Sequence, residues 1–208
     1  KEIFGKFPGV RLGVVVALGL DNSKEKQFIE LLRNEEKVTR NKFANVEIAK
    51  HQLIEPWREI YRQFGSKPSK YSSSVEALIK RVAKGKELFD INALVNLYNA
   101  LSLKYVMPFG GEDLDKVRGD IRLTFADGSE TGVYLGSDED VSCDKGEVAY
   151  LDDLGFICRK WNWREAKRTM LTSETKNVVL VTEAIPTVDD VGLHNATEEL
   201  ANSIKENL

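Results

Sequence analysis

The chain has 208 residues, 42% hydrophobic and 30% charged, with a net charge of −3. That length builds one large domain or two small ones, and the composition is that of a soluble globular protein. So small a net charge creates no global field toward nucleic acid or an anionic membrane, so a polyanion would have to meet a local basic patch.

Taken in chain order, Val10 to Leu18 is β-branched and apolar and predicts a buried strand. Asp21-Asn22-Ser23 predicts the cap of a helix from about Lys24 to Lys37. A second helical pattern runs from Val46 to Phe64, with Pro56 placed to kink or divide it. Gly65 to Lys70 reads as a loop. Ser73 and Glu76 have capping-box spacing and start a helix through Val82 that ends near Gly85. Asn92 to Leu103 is the next helix.

The second half changes character. Ile121–Phe125 and Thr131–Leu135, joined through Asp127-Gly128, predict a hairpin. Glu147–Leu151 and Gly155–Arg159 predict a strand pair around Asp152-Asp153. Asn177 to Ala184 is a last apolar strand, and Thr187 to Asn207 an amphipathic helix with Leu193, Leu200 and Ile204 toward the core. Helices early and antiparallel strands late predict an α+β fold in a single domain over residues 1–208. Cys143 and Cys158 form no C-x-x-C pair, which fits a reducing cytosol better than a disulfide framework or thiolate zinc site. The longest apolar run, Val14 to Leu18, is far too short to span a bilayer, and nothing reads as a cleavable signal. The expected location is cytoplasmic.

Three places carry candidate chemistry. Asn96, Asn99 and Ser102 recur three apart on one side of a helix that runs toward Met107-Pro108-Phe109-Gly110-Gly111-Glu112-Asp113. Their amides and hydroxyl would line a polar pocket walled by the Pro108–Gly111 loop, although the spacing also fits a solvated helix face. The segment Arg159 to Thr169 sets two of the three tryptophans among five cations. That mixture suits phosphate contact plus base stacking, or a helix start with buried indoles and a basic outer face. Glu147 heads a predicted strand, where its carboxylate would hold a substrate amine, orient a water, or simply face solvent. The hydroxyls of Thr169, Thr172 and Thr175 would cap helices or bond a polar ligand. His51 and His194, the only histidines, neighbour no nucleophile, and no H-E-x-x-H, Walker loop or G-x-G-x-x-G is present.

Several of these runs resemble one family. Asn92-x-Leu94-Val95-x-x-Tyr98-Asn99, then Pro108 to Asp115 and a following strand, looks like the B3/B4 domain of the phenylalanyl-tRNA synthetase beta subunit. Freestanding bacterial B3/B4 proteins are more similar still. They share S-x-E-A-L at Ser74–Leu78, P-x-G-G-E-D-L-D at Pro108–Asp115, G-E-x-x-Y at Gly146–Tyr150 and C-R-x-W-N-W-R at Cys158–Arg164. The likeness covers roughly Trp57 to Leu200, with residues 1–56 expected to pack on that core.

The resemblance implies a mixed or antiparallel sheet flanked by helices, and an aminoacyl-tRNA deacylase acting in trans on a mischarged tRNA. On that reading Asn99 and Glu147 are the expected catalytic residues. Asn96, Ser102, Pro108, Gly110, Gly111, Asp113, Asn162 and Thr172 would form the substrate pocket. Arg159, Trp161, Trp163, Arg164, Lys167 and Arg168 would meet the aminoacyl 3′ end of tRNA, weakly and with salt sensitivity. No cofactor, metal or membrane is expected. The chain departs from the synthetase pattern at two points, with Gly110 where that pattern has histidine and Asn96 where it has aspartate. An RNA-binding module without chemistry, and a small-molecule or amino-acid-binding hydrolase using the same pocket, are the alternatives.

Overall fold

The computed structural model describes residues 2–24 and 26–208. In chain order it contains α1 (Glu2–Lys6), β1 (Arg11–Leu18), α2 (Ile29–Phe43), α3 (Glu55–Gln63), α4 (Ser74–Ala83) and α5 (Ala93–Tyr105). There follow β2 (Phe109–Asp113), β3 (Arg122–Phe125), β4 (Thr131–Gly132), β5 (Val141–Ser142) and β6 (Val148–Leu151). The chain ends with β7 (Phe156–Arg159), β8 (Arg164–Glu165), β9 (Asn177–Ala184) and α6 (Asp190–Asn207).

Two antiparallel sheets organise the molecule. In the first, β9 runs between β1 and β2. Strand alternation splits β9 into two faces. Val178, Leu180 and Ala184 join the core against α5 and α6, while Val179, Val181 and Glu183 face the other way. The second sheet has the order β3-β6-β7-β8. It packs against an aromatic cluster of Phe7, Trp57, Tyr61, Phe64 and Trp161, which the N-terminal residues Ile3 and Val10 also enter. Helix α5 is buried over nearly its whole surface, as its nearly continuous apolar sequence requires. Asn92 caps it, its Oδ1 accepting from the Val95 amide at 3.0 Å.

Most predicted elements form where expected. The antiparallel pair β6–β7 turns at Asp152-Asp153, β9 spans the predicted residues, and α6 buries Leu193, Leu200 and Ile204. Pro56 divides the Val46–Phe64 pattern into a short 3-10 turn and α3, whose first turn holds the proline.

Four expectations are corrected. Strand β1 is not buried: it is a sheet edge whose outward side chains Val16 and Leu18 are 59% and 72% exposed. The helix expected from Lys24 begins at Ile29, after Phe28 in a left-handed conformation. Asn22 caps nothing there. Its amide accepts from Leu94 N and donates to Thr172 O, tying the loop to α5. The capping box at Ser73 does not close, because Glu76 is drawn instead to Arg58 at 2.5 Å and Lys80 at 2.6 Å. The 121–135 hairpin does not form. Asp127-Gly128 does turn the chain, but β3 pairs with β6 and β4 with β5. The Ala126 amide continues the β3–β6 ladder by donating to Glu147 O, so the turn redirects the chain instead of doubling it back.

Candidate functional site: a cavity between the two sheets

The outer face of the first sheet and the inner face of the second enclose a cavity of about 560 Å³. That is the size of a small-molecule site. Val14, Val179 and Val181 supply one wall, Leu123 and Ile157 the opposite one, and Tyr98 and Asn99 of α5 close an end. The lining is mostly apolar, with polar groups gathered at a few points.

Three of those points are glutamates. Glu183 is bonded on all sides: Tyr150 Oη donates at 2.5 Å, Trp161 Nε1 at 2.9 Å and Asn162 Nδ2 at 2.5 Å. Burial raises its pKa, and these three donors offset part of the rise. Glu112 and Glu165 differ. Glu165 lies over Gly110, so close that a Cβ on Gly110 would fall 3.0 Å from its Oε1. Glycine is what lets the carboxyl approach the strand. Burial pushes Glu165 up to about 7, against the opposing pull of the Gly111 backbone and Arg164. Burial also raises Glu112 well above the usual carboxylate range, reinforced by the charge of Glu165.

Of the residues singled out from sequence, Asn99, Pro108, Gly110, Gly111, Asn162, Trp163 and Arg164 line this cavity. Trp161 borders it too, but at 0% exposure, with its indole packed edge-on against Phe7 and Trp57. That ring is core and is not free to stack on a base. Asn96 and Ser102 lie elsewhere. Asn96 donates to Asp90 and accepts from the Ile91 amide, and the Ser102 hydroxyl donates to Met107 O at 2.6 Å. Residues three apart turn through roughly 300° on a helix, so the first and third of such a series stand about 120° apart. One face cannot hold all three.

Asp113 accepts from Asp115 N and from the Thr175 hydroxyl on the opposite face of β2, and Thr172 shapes the turn to Thr175. Glu147 is 1% exposed and does not border the cavity. It accepts from Arg159 Nε at 3.0 Å, Arg159 Nη2 at 2.8 Å and Lys160 Nζ at 2.7 Å. Burial would raise its pKa, but these donors outweigh burial and hold it below the usual value. Its carboxylate binds the β6–β7 region together and has no free edge for a substrate amine. Lys167 is paired with Asp138, and Arg168 grips Asp152 with two nitrogens at 2.7 and 2.9 Å. Arg164 alone of the five cations lacks a carboxylate partner among the described residues. It lies beside Trp163, whose ring meets Tyr71 and Tyr134.

The model of the B3/4 domain matches residues 56–207, most of the chain. The chain belongs to the B3/4 domain family. Among solved structures, an N-terminal fragment of the phenylalanyl-tRNA synthetase beta subunit from Pyrococcus horikoshii is similar, at 15% identity and a TM-score of 0.44. The alignment covers 54% of this chain and only 40% of that fragment. No curated protein gives a significant match.

Two residues of this B3/4 domain's cavity, Glu112 and Glu165, are not among those expected from sequence. The signal for Glu112 was present: once Phe109–Asp113 is a strand rather than a loop, alternation sets Gly110 and Glu112 on one face and Asp113 on the other. Nothing local marks Glu165. The free thiols Cys143 and Cys158 of the B3/4 fold are buried, and burial pushes Cys143 up to about 12 and Cys158 well above its usual value, so neither is a nucleophile at neutral pH. Among the described residues no cluster of three His, Cys, Asp or Glu side chains is arranged to hold a metal ion, and no helix is long and apolar enough to cross a membrane.

Proposed function

We propose that this B3/4 domain hydrolyses the ester of a mischarged aminoacyl-tRNA in trans, with the aminoacyl group held in the cavity between the sheets. The observation that carries this reading is a largely apolar cavity of about 560 Å³ with an amide, a glycine strand and two glutamates, Glu112 and Glu165, in its lining. An aminoacyl ester is already activated. Water adds to its carbonyl, the acyl–oxygen bond breaks, and a free amino acid and tRNA leave. Holding the ester and water in register supplies much of the required acceleration. Asn99 would donate its amide to the carbonyl oxygen as charge develops there. Trp163 would stack on the terminal adenine, with Arg164 on the adjoining phosphate. Charged tRNA is found in the cytoplasm, and the protein would act there.

The test is deacylation of a panel of correctly and incorrectly charged tRNAs, with Asn99→Ala alongside. Selective release of one amino acid, lost in the variant, is the expected result. No release anywhere in the panel, with protein in excess over tRNA, would overturn the hydrolase reading.

One observation favours a second reading, an amino-acid or small-molecule hydrolase that does not use RNA. Three of the four cations expected to meet tRNA, Arg159, Lys167 and Arg168, are bonded to carboxylates of the same chain, as is Lys160 between them. Absence of a tRNA shift at low salt, together with cleavage of small aminoacyl esters, would select it.

A further inference from the structure

Taking the cavity as the ligand site, as proposed above, we infer that Glu112 and Glu165 form a receptor for the ammonium group of an amine ligand. Both carboxyls line the cavity over the same strip of β2. Glu112 is 8% exposed, and its Oε2 has no hydrogen-bond partner among the described residues. The Thr169 hydroxyl lies near Glu112, yet Thr169 Oγ1 is itself buried and unbonded. A buried carboxyl oxygen left bare in a cavity is costly unless a ligand completes it.

The charges around the pair specify what is missing. Arg168 is committed to Asp152, and Arg164, next to Glu165 on β8, stands exposed. Glu183 is saturated by its three donors. Tyr98 of α5, Tyr150 of β6 and Cys158 of β7 also face the pair, and burial holds all three in their neutral forms. Among the described residues no cation therefore forms an ion pair with Glu112 or Glu165. Two carboxyls so placed retain a proton between them because they cannot both ionise cheaply. A primary ammonium supplies the absent charge and several donors at once. Tyr98, Tyr150 and Trp163 also line the cavity, and their rings suit the carbon frame beside the ammonium. A hydroxyl would bond but leave the charge uncompensated. When the ammonium enters, the retained proton leaves to solvent, so charge balances and binding releases protons.

The experiment is isothermal titration of the full chain in two buffers of different ionisation heat, at about pH 6 and about pH 8. The probes are phenylalaninamide, its des-amino analogue 3-phenylpropanamide, and N-acetyl-lysinamide. An ammonium probe is expected to bind at least about tenfold tighter than 3-phenylpropanamide. It should release protons at the lower pH, and its preference should vanish in Glu112→Gln and Glu165→Gln. Tighter phenylalaninamide assigns the α-ammonium as the ligand group; tighter N-acetyl-lysinamide assigns a side-chain amine. Equal affinity for charged and uncharged probes, no ammonium binding at millimolar concentration, or a preference that survives both substitutions would overturn the receptor. Thermal unfolding guards against a trivial loss, because both glutamine variants should melt at or above the wild type. Lower melting in both would mark the pair as structural and also overturn the receptor. If the variants do not fold, the wild-type contrast between charged and uncharged probes still decides. N-acetylated aminoacyl-tRNA separates the two proposals: cleavage at full rate keeps the hydrolase and removes the receptor, whereas amine preference without cleavage of any charged tRNA does the reverse.

Discussion

Glu147 and Glu112 are carboxylates almost sealed from solvent, with Glu165 half-buried beside the second, but the two places sit in opposite surroundings. Glu147 meets two cations and several N–H donors, and its pKa is lowered despite burial. The Glu112–Glu165 pair has no ion-pair partner among the described residues and is raised. Burial alone therefore does not tell whether a carboxylate is mortar or site. What decides is whether the protein itself completes its hydrogen bonds and charge.

The contrast can be broken most sharply at Glu147. Glu147→Ala takes the close partner from Arg159 and leaves Lys160 to Asp144 alone, and should cost about 3 kcal/mol in urea unfolding. A loss no larger than that of an exposed residue would erase the distinction. Asn99→Ala comes next. It should lower deacylation by about a hundredfold, the scale of one lost oxyanion donor, while leaving the melting temperature unchanged. If melting falls with activity, Asn99 belongs with the scaffold.

Acid–base titration of stability separates the two carboxylate regions by sign. For the raised pair, the folded state binds its proton more tightly than the unfolded chain. That contribution is complete below the ordinary glutamate value of 4.5 and is lost as pH rises through about 7. For Glu147 the folded value is depressed, so its contribution is present above 4.5 and lost as pH falls below it. Stability should thus decline across the first window and again under acid, with Glu112→Gln flattening only the first. A slope unaffected by that substitution would assign the titration elsewhere. The smallest effect is expected at Arg164. Arg164→Ala should change stability by less than about 0.5 kcal/mol, since the side chain is exposed and has no carboxylate partner among the described residues. It should also move the Glu165 midpoint upward, as seen by carboxyl NMR, because Arg164 lowers it.

Much of the scaffold was legible because its signals are local. The apolar run of β9, the Asn92 cap of α5 and the spacing of Leu193, Leu200 and Ile204 in α6 each report on neighbours a few residues away. The β3 hairpin failed for the converse reason. An Asp-Gly turn states that the chain bends, but strand partners are chosen by which edge is open, and β6 offered β3 the longer ladder. At the site, motif likeness found Asn99, Gly110, Gly111 and Asn162 in one cavity. Helical spacing drew in Asn96 and Ser102, and the strand-head position drew in Glu147, whose polar atoms are used up by Asp90, Met107 and Arg159.

By itself the sequence determined the family, the main helices, the strand pair at Asp152-Asp153 and the glycine strand at the cavity wall. Only the tertiary structure decided which charges are spent and which are free. Glu112 and Glu165 lie 53 positions apart, and Glu183 meets Tyr150, Trp161 and Asn162 from three other segments. A side chain's chemistry is written in its residue type, but its pKa and its availability depend on the groups that folding brings within a few ångströms.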